Sequence, residues 1–484
     1  MKKYLFILGL VGTALFTACS TADDLVAEIP SQGLTDEEKA MIIEAGKDSD
    51  VPITLGSVAS SRAMTRTPLN SDVGTNLFVT PFVPGYPDPD DGKSQYLGVF
   101  CLAMGKQEGA PSVAVATDDI KWSTHQYVNW LNNVPAKVSK FDHTSGDDSP
   151  IAGGGADEDF SYIQFMKGDY TGTRFYYYPF GNWYYYDFFA YYPRQTSGID
   201  VGYNVVDVDF TIDGSQDIIW AHAEGGSIVT DTVTDNDVKS YSAKYMRLSK
   251  EDLDEDGNPD HTDFEIVPGL DFKHKLTQLV FSVKPHDTDA AELHRKGFKL
   301  TGLSLKNVYE NLQLRVAAKG DYAASAGTLK IKAGSTVTDI PARNATDDSS
   351  LFPIRVASKY QDENWVVDAN EKEVGYVIVP STSLISGKTY NQYLVNIQMQ
   401  QQDENGKYPD EDGYSGSDVP DTVIILKEPT ADVDGDGNPD GFAAGYKYNI
   451  TLEIYNPTEI QATATLVGWA DGYDDPDDGV IPVD

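Results

Sequence analysis

The sequence contains 484 residues, with a formal net charge of −38 and a pI near 4.3. Such an acidic protein is not expected to bind nucleic acid, or an anionic membrane through its own surface, because both carry negative charge. The length exceeds that of one β-sandwich and predicts two domains.

Residues 1–18 have the pattern of a secretory signal peptide. Two lysines come first, the apolar run Tyr4–Phe16 follows, and small residues precede Cys19. The apolar run is too short to cross a membrane as a helix. The segment Phe16–Cys19 resembles a bacterial lipobox, in which the cysteine thiol takes diacylglycerol, although Phe16 stands where that motif usually has leucine. The alternative is a secreted protein in which Cys19 has no special role.

Few cysteines and few long apolar runs follow the signal peptide. Cys101 is the only cysteine after Cys19, so an intrachain disulfide is not expected, even though export would permit one. The rest of the sequence has no apolar run of about 20 residues. The lipid on Cys19 is therefore the only membrane anchor that the sequence predicts.

Residues 19–50 form a polar, acidic leader. An Asp-Asp pair at 23–24 lies soon after the lipidated cysteine, a position that resembles the surface-export signal of some lipoproteins; the alternative is a solvated tether. The segment Leu34–Ala45 has the features of a short helix, with Thr35 as its N-cap and Glu38 three residues later.

The segment Val51–Val58 places apolar residues at every second position, which predicts a β-strand with one buried face. It is followed by Ala59–Thr67, a stretch of small and polar residues that contains Arg62 and Arg66 and that a protease could enter. Cleavage in this loop would separate the whole strand from the sheet that it joins. The alternating apolar residues are Val51, Ile53 and Leu55.

Between Asn76 and Pro285, short apolar or aromatic runs alternate with turn-forming residues, and no regular helical segments intervene. This spacing predicts antiparallel β-sandwich structure rather than a βαβ fold. The densest run, Phe175–Tyr192, has 13 aromatic residues in 18 positions. One interpretation is core packing with cross-strand aromatic pairs. The alternative is a surface that stacks on sugars through Trp183 or Tyr185.

Two acidic segments share the spacing of a calcium-binding loop. Each has carboxylates at loop positions 1, 3, 5 and 9 and glycine at position 6, which suits the oxygen ligands that Ca²⁺ prefers. The first has Asp263 at position 12, whereas the second has Ala443 there and would need a ligand from elsewhere. No flanking helices are evident, and the alternative is two ordinary acidic turns. The candidate ligands are Asp252, Asp254, Asp256, Asp260, Asp263, Asp432, Asp434, Asp436 and Asp440.

From Leu270 onward the strand pattern repeats. The last predicted strand, Glu459–Trp469, alternates apolar with polar residues and precedes an acidic tail at 471–484. His274 has no neighbouring His or Cys and is expected to be a hydrogen-bonded core histidine rather than a metal ligand. The other predicted strands are Leu276–Val283, Phe298–Leu305, Leu312–Ala317, Leu329–Ile331, Val374–Val379, Tyr393–Met399, Val423–Leu426 and Tyr446–Ile454.

Common catalytic motifs are missing from the sequence. It contains no H-E-x-x-H zinc motif, no G-x-S-x-G elbow and no Walker loop. Carboxylate pairs for glycoside hydrolysis depend on their separation in the folded protein, so a chain this rich in Asp and Glu gives no information about them. We therefore expect no enzyme activity, and no cofactor other than structural Ca²⁺.

Several segments resemble signatures of the fimbrillins, the type V pilins and related Mfa-type lipoproteins. They are Phe188–Pro193, Asp217–Ala221, Phe272–Leu279, Tyr376–Pro380 and Gly445–Thr451. The resemblance implies an all-β chain with two tandem transthyretin-like antiparallel β-sandwich domains. With the boundary near Pro268, these domains would occupy residues 51–268 and 269–470.

The same resemblance implies a fimbrial structural or adhesin subunit made as a lipoprotein precursor. An Arg-specific surface protease would cut after Arg62, before Ala63, or after Arg66. The processed subunit would assemble with other pilin subunits by donor-strand exchange. The expected donor is Glu459–Trp469, with 471–484 as its extension; the alternative is that Glu459–Trp469 closes the second domain. It would lie at the surface of the cell outer membrane, held there by lipid, and in the fimbrium after processing.

The alternative function is a cell-surface glycan-binding lipoprotein that keeps its lipid and stays monomeric. The sequence identifies neither a host or bacterial surface ligand nor a shaft, tip or anchor role.

Overall fold

The computed structural model describes the chain in ranges separated by gaps. The described residues are 35–57, 96–107, 110–111, 120–123, 127–140, 161–168, 172–181, 183–225, 241–244, 246, 268–270, 272–286, 297–344, 354–355, 359–361, 364–366, 372–385, 392–429, 441–456 and 459–468.

Strands dominate these residues, which confirms the predicted all-β class. The helices are α1 (Asp36–Ala45), a 3₁₀ helix (Gly320–Ser325) and α2 (Thr382–Ile385). The strands are β1 Asp48–Pro52, β2 Leu55–Ser57, β3 Leu97–Lys106, β4 Asn129–Lys140, β5 Ser161–Phe165, β6 Tyr177–Pro179, β7 Tyr184–Tyr192, β8 Ile199–Val201, β9 Val205–Thr211, β10 Ile219–Ala223, β11 Gly269–Leu270, β12 Lys273–His274, β13 Thr277–Pro285, β14 Lys299–Tyr309, β15 Asn311–Ala318, β16 Leu329–Ile331, β17 Val337–Pro341, β18 Arg343–Asn344, β19 Ile354–Arg355, β20 Lys359–Gln361, β21 Asn364–Val366, β22 Lys372–Val379, β23 Leu394–Gln400, β24 Thr422–Ile425, β25 Tyr446–Asn456 and β26 Glu459–Gly468.

The first sandwich packs an eight-stranded sheet on a four-stranded one. The larger sheet has the order β11-β2-β5-β4-β3-β7-β10-β12, and the smaller has the order β16-β15-β9-β8. The ring of Tyr191 on β7 meets that of Phe210 on β9 edge to face, with 6.0 Å between centroids. The indole Nε1 of Trp220 on β10 donates a hydrogen bond of 2.7 Å to the carbonyl of Val316 on β15.

The aromatic run supplies the centre of the larger sheet. Strand β7 lies between β3 and β10, and nearly all of its side chains are buried. A strand covered on both faces favours apolar residues on both, which is why the run does not alternate. Its one charged residue, Asp187, is hydrogen-bonded. Its aromatic side chains also pack in pairs, such as Tyr178 against Phe188 at 6.1 Å.

The smaller sheet joins strands from both halves of the sequence. Strand β9 ends at Thr211, and its antiparallel partner β15 begins at Asn311. Strands β11 and β12, just after residue 268, pair with β2 and β10 of the larger sheet. The division into domains at residues 268 and 269 stays a prediction, but backbone hydrogen bonding crosses that position.

The second sandwich is built from two smaller sheets, with the orders β18-β22-β13-β25-β26 and β17-β14-β23-β24. Both contribute fully buried residues to the core, such as Phe281 on β13 and Ile397 on β23. Strands β13 and β25 pair in parallel, whereas the other neighbours within these two sheets are antiparallel. The strands predicted after Leu270 are confirmed as β13 to β16 and β22 to β26.

Candidate functional site

The described part of the leader begins with a capped helix. At the start of α1, the Glu38 amide donates to Thr35 Oγ1 at 3.2 Å, and the Thr35 amide donates to Glu38 Oε2 at 2.8 Å. This reciprocal pair is a capping box, as the sequence predicts. The helix ends at Ala45, where Gly181 approaches so closely that a Cβ added there would lie 2.3 Å from the Ala45 Cβ. Glycine at 181 therefore lets the helix end rest on the chain that follows β6.

Strand β1 then runs antiparallel to β6, with Asp48 opposite Pro179 and Pro52 opposite Tyr177. Val51 is 4% exposed, and the Ile53 amide donates to the carbonyl of Tyr176 at 2.8 Å. The predicted continuous strand over 51–58 is therefore wrong in its bounds. The strand starts at Asp48 and breaks after Pro52, because proline lacks an amide hydrogen and the chain there changes partner from β6 to β5.

Strand β2 is inserted between two other strands. It runs antiparallel to β5, with Leu55 opposite Ile163, and parallel to β11, with Gly56 opposite Gly269. The Gly56 amide donates to the carbonyl of Pro268 at 3.0 Å. Leu55 is fully buried. The N-terminal segment, residues 35–57, therefore places β2 in a slot between β5 and β11, where the chain enters the second half of the sequence.

Three apolar side chains anchor this N-terminal segment, and their burial follows the predicted alternation. Val51, Ile53 and Leu55 are 4%, 5% and 0% exposed. Burying each such side chain stabilises the fold by about 1.5–3 kcal/mol. Without the segment, three apolar pockets and the backbone groups of β5 and β11 that now face β2 would be open to solvent, a form that another strand can bind.

Aromatic residues surround the β1 pairing. Tyr176 packs edge to face on Phe165 of β5, with 5.3 Å between ring centroids, and the Arg174 guanidinium lies 4.7 Å from the Tyr176 ring centroid. On the outside, Phe175 is 66% exposed and Phe180 47% exposed. Exposed aromatic rings on both ends of β6 extend the apolar surface around β1.

A buried hydrogen-bonded pair, Asp217 and His274, which the sequence reasoning missed, joins the first sheet to the beginning of the second sandwich. The Asp217 carboxylate lies against His274 Nδ1, and it also accepts the amide hydrogens of Ile218, at 2.7 Å, and Leu276. Burial raises the pKa of Asp217, and the facing His274 opposes that effect. His274 is thus hydrogen-bonded, as expected. Its partner Asp217 lies 57 residues earlier in the sequence, so the order of residues did not predict the pair.

Two more buried polar groups lie in the first sandwich. Asp187 on β7 accepts hydrogen bonds from the Gly225 amide and from His222 Nε2, both at 2.8 Å, and burial raises its pKa. Lys319 donates from Nζ to the carbonyl of Ile120 at 2.5 Å. Burial lowers the pKa of Lys319 to about 8.

A profile of the family described as fimbrillin-like matches residues 137–408, more than half of the chain. The chain belongs to the fimbrillin-like family. This is a family of fimbrial structural proteins and not an enzyme family. Two of the segments on which the resemblance rests, Asp217–Ala221 and Phe272–Leu279, are brought together by the Asp217–His274 pair and by the pairing of β10 with β12.

Solved structures similar to this fimbrillin-like chain include proteins of adhesion and of fimbriae. A candidate cell adhesion protein of Bacteroides uniformis is 13% identical, and the match covers 87% of this chain and 100% of that one, with a TM-score of 0.37. The fimbrial anchor protein Mfa2 of Porphyromonas gingivalis is 10% identical over 87% and 97%, with a TM-score of 0.26. The C-terminally truncated tip fimbrial protein Mfa3 of the same organism is 8% identical over 87% and 99%, with a TM-score of 0.27. No curated protein matches the chain.

The site residues predicted for this fimbrillin-like chain lie outside the described residues. Ser57 is the last described residue before the loop that contains the two arginines. The last positions of the second acidic loop, Phe442 and Ala443, are described, and the Phe442 amide donates to Thr382 Oγ1 at 3.0 Å. Residues outside the described ranges are Cys19, Arg62, Ala63, Arg66, Asp252, Asp254, Asp256, Asp260, Asp263, Asp432, Asp434, Asp436 and Asp440.

The described ranges contain neither a cluster of metal ligands nor a helix that could span a membrane. Within them, no group of three or more His, Cys, Asp or Glu side chains is arranged to hold a metal ion. The carboxylates of both predicted calcium loops lie elsewhere in the chain, so these loops stay predictions. None of the helices in the described ranges combines the length and the apolar character of a membrane span.

Most of the aromatic run is core in this fimbrillin-like chain, in line with the first interpretation, whereas Phe175 and Phe180 are exposed. Trp183 is 8% exposed, and Tyr185 is partly buried. The rings of Tyr186, Phe188 and Phe189 have almost no exposed surface. A sugar that stacks on Trp183 would need an open ring face, so the structure gives no support to that site for the glycan-binding alternative.

Proposed function

We propose that this fimbrillin-like chain is a fimbrial subunit that is made as a lipoprotein precursor, cut by an Arg-specific protease and assembled by donor-strand exchange. One observation carries the proposal. The apolar strand segment β1–β2 occupies a slot in the first sandwich and ends at Ser57, a few residues before Arg62 and Arg66. Cleavage after either arginine would leave the segment attached to the rest of the subunit by non-covalent contacts alone.

Those contacts define what a replacement strand needs. It would run antiparallel to β5 and parallel to β11, with apolar side chains at the positions of Val51, Ile53 and Leu55. The new strand would form the same backbone hydrogen bonds, so exchange conserves pairing while joining two subunits.

The donor is proposed at the other end of the chain. Strand β26 of Glu459–Gly468 is already paired with β25 along its whole length, so it is the closing strand of its own sheet here. We therefore favour its extension, residues 471–484, over β26 itself. Ile481-Pro482-Val483 repeats the order of β-branched residue, proline and β-branched residue found in Val51-Pro52-Ile53.

Lipid on Cys19 would hold the precursor at the surface of the outer membrane. Cleavage would then end the covalent link between the subunit and both the lipid and the N-terminal segment. The acidic character of the chain, −38 in net charge, is compatible with an anchor made of lipid instead of a basic protein surface. Replacing Cys19 with alanine should leave a precursor that no longer partitions into detergent.

Processing and assembly are tested by treating the purified precursor with an Arg-specific protease and following its size by light scattering and electron microscopy. Wild-type chains should polymerise, and N-terminal sequencing should find a new end at Ala63 or Thr67. The double variant Arg62→Ala, Arg66→Ala should stay intact and monomeric, and the single variants distinguish the two sites. Deletion of 471–484 should give cleaved but unassembled chains, whereas full assembly of this deletion would assign the donor to β26.

Cleaved wild-type protein that remains monomeric at high concentration would contradict strand exchange. If that protein also bound a glycan, the alternative of a glycan-binding lipoprotein would replace the fimbrial proposal.

Calcium binding by the first acidic loop is a separate proposal, supported by its spacing of carboxylates and glycine. Ligand bound only by the folded state stabilises it by mass action. Millimolar Ca²⁺ should therefore raise the Tm, and Asp254→Ala should reduce the increase while Asp434→Ala reports on the second loop. A Tm independent of Ca²⁺ would identify both loops as ordinary acidic turns.

A further inference from the structure

The outer strand of one sheet in the second sandwich has an apolar, self-complementary edge. Strand β24 pairs with β23 on one side and is the last strand of its sheet among those described. Its side chains alternate sharply between the two faces. Ile424 packs against the core, whereas Val423 is 49% exposed and Ile425 59% exposed. Edge strands in soluble proteins usually carry charge or proline at such positions.

The residues just before and after β24 carry opposite charges on the same outer face. Asp421 precedes the strand, Lys427 follows it two residues after Ile425, and both are exposed. The Asp421 Oδ2 atom accepts hydrogen bonds of 3.0 Å from Asn396 Nδ2 and Gln398 Nε2, which holds the carboxylate over the outer face of β23. Along the outer face of this edge, the order of side chains is therefore Asp421, Val423, Ile425 and Lys427.

When two copies of this edge run in opposite directions, the acid of one lies opposite the base of the other, and the apolar side chains lie opposite each other. If a second copy of β24 pairs antiparallel with the first so that Ile424 lies opposite Ile424, Asp421 faces Lys427 of the copy and Val423 faces Ile425 of the copy. The two-fold axis then produces each pair twice. A shift of one residue would place outer-face side chains opposite inner-face ones, and a shift of two would lose both charge pairs.

We propose that β24 is a self-association surface through which two copies of this chain pair edge to edge in this register. The occupant is a second copy because both the charges and the exposed apolar side chains of this edge match in the antiparallel self-pairing. The contact is independent of the slot filled by β1 and β2, so it operates in uncleaved chains and does not rest on strand exchange. Its small area predicts weak binding, with a Kd of about 0.1–1 mM.

Two single charge reversals test the register directly. In a dimer of Lys427→Glu chains, positions 421 and 427 that face each other are both acidic. In a dimer of Asp421→Lys chains they are both basic. Each variant alone should therefore dimerise about tenfold more weakly than wild type. When the two variants are mixed, position 421 of each faces the opposite charge at position 427 of the other. The mixture should therefore recover dimer at the wild-type level in sedimentation equilibrium.

The measurement uses the full chain with Cys19→Ser, at about 0.15 M salt, because each chain carries a net charge of −38 that opposes association. Asp200→Lys, at an exposed position on the outer strand β8 of the first sandwich, is the matched control and should not alter the Kd. Recovery in the mixture supports the proposal. Absence of wild-type dimer at about 1 mM, or a mixture no stronger than the single variants, would overturn it.

Disulfide trapping gives a second readout that does not depend on charge. Val423→Cys chains mixed with Ile425→Cys chains place the two thiols directly opposite, whereas in either variant alone they are about 7–8 Å apart on the diagonal. The mixture should form at least about fivefold more cross-linked dimer than either variant, since Cys101 is buried. Equal yields in the three samples would show that the proposed register is wrong.

Discussion

The Asp217 side chain is a buried polar group with partners from two stretches of the chain, Ile218 beside it and His274 to Leu276 after the first sheet. Its side chain is 0% exposed, and it receives His274 Nδ1 together with the amides of Ile218 and Leu276. Removing one member of such a pair leaves the other uncompensated, which costs far more than losing a surface ion pair. This residue therefore stabilises the place where the chain passes from the first sheet into β13.

We expect Asp217→Ala to lower the free energy of unfolding by about 3 kcal/mol, because the His274 side chain and two amides lose their acceptor. The control is Glu44→Ala, which removes the Lys47 ion pair on the surface, where the Glu44 side chain is 53% exposed. It should change stability by less than about 1 kcal/mol. Urea denaturation measures both, and equal effects would show that Asp217 has no special structural role.

Lys319 gives a pH dependence whose sign follows from its pKa. Burial lowers that pKa from 10.5 to about 8 in the folded protein, so between these values the unfolded chain binds more protons than the folded one. Stability therefore rises with pH in this window. The amine also lies over the Trp122 ring, 5.0 Å from its centroid, which keeps it in place at the junction of β15 and the 3₁₀ helix.

We expect the stability of wild type, relative to Lys319→Met, to increase by about 1 kcal/mol between about pH 7 and pH 9, a value that allows for partial hydration of the amine. The control Lys330→Met changes a half-exposed lysine and should show no such trend. Chemical denaturation at each pH gives the difference. A difference that falls with pH would contradict the lowered pKa.

At the scale of elements, β2 holds two segments that are far apart in sequence. It pairs with β5 through Leu55 and Ile163, and it supports β11 through the hydrogen bond from Gly56 to Pro268. Strand β11 has only two residues and begins the passage into the second sandwich. Loosening β2 should consequently release β11.

We expect Leu55→Ala to cost about 2–4 kcal/mol of stability and to speed amide hydrogen exchange in both β2 and β11, because it empties the deepest pocket of the N-terminal segment. Thr54→Ala, at a partly buried position next to it, should have a much smaller effect. Exchange in β25, in the other sandwich, serves as an internal reference. Unchanged exchange in β11 would show that β2 does not support it.

At the scale of the whole molecule, the two halves are joined by backbone and side-chain contacts. Strands β9 and β15 pair over their length, and Arg315 binds Asp207 through two nitrogen–oxygen contacts of 2.8 and 3.0 Å. The loop after β9 also meets the second sandwich, where the Ile378 amide donates to the carbonyl of Gly214 at 2.8 Å. Both sheets of the first sandwich therefore contain strands from before and after residue 268, whereas the two sheets of the second sandwich use strands after residue 268 alone.

We expect a single cooperative thermal transition, with equal calorimetric and van 't Hoff enthalpies, because unfolding either half of the sequence removes strands from both sheets of the first sandwich. Trp220→Phe, which loses the hydrogen bond to Val316 but keeps an aromatic ring, should lower the Tm without splitting the transition. Scanning calorimetry tests both statements. Two separate transitions in wild type would show that the halves unfold independently.

The sequence by itself determined the all-β class, most strands of the second half, the capped helix α1 and the burial of Val51, Ile53 and Leu55. These depend on local pattern: alternation, turn residues and capping chemistry act within a few residues. The match of the fimbrillin-like profile agrees with the resemblance drawn from short motifs.

Only the tertiary structure decided which strands are neighbours. The break after Pro52, the insertion of β2 between β5 and β11, the pairing of β9 with β15 and the partnership of Asp217 with His274 all join residues far apart in sequence. Strand pairing depends on which backbone edges and apolar faces meet when the chain closes, and alternation gives a strand its buried face but not its partner. For the same reason, the opposed order of charges around β24 acquires meaning only because β24 is the outer strand of its sheet among the described residues.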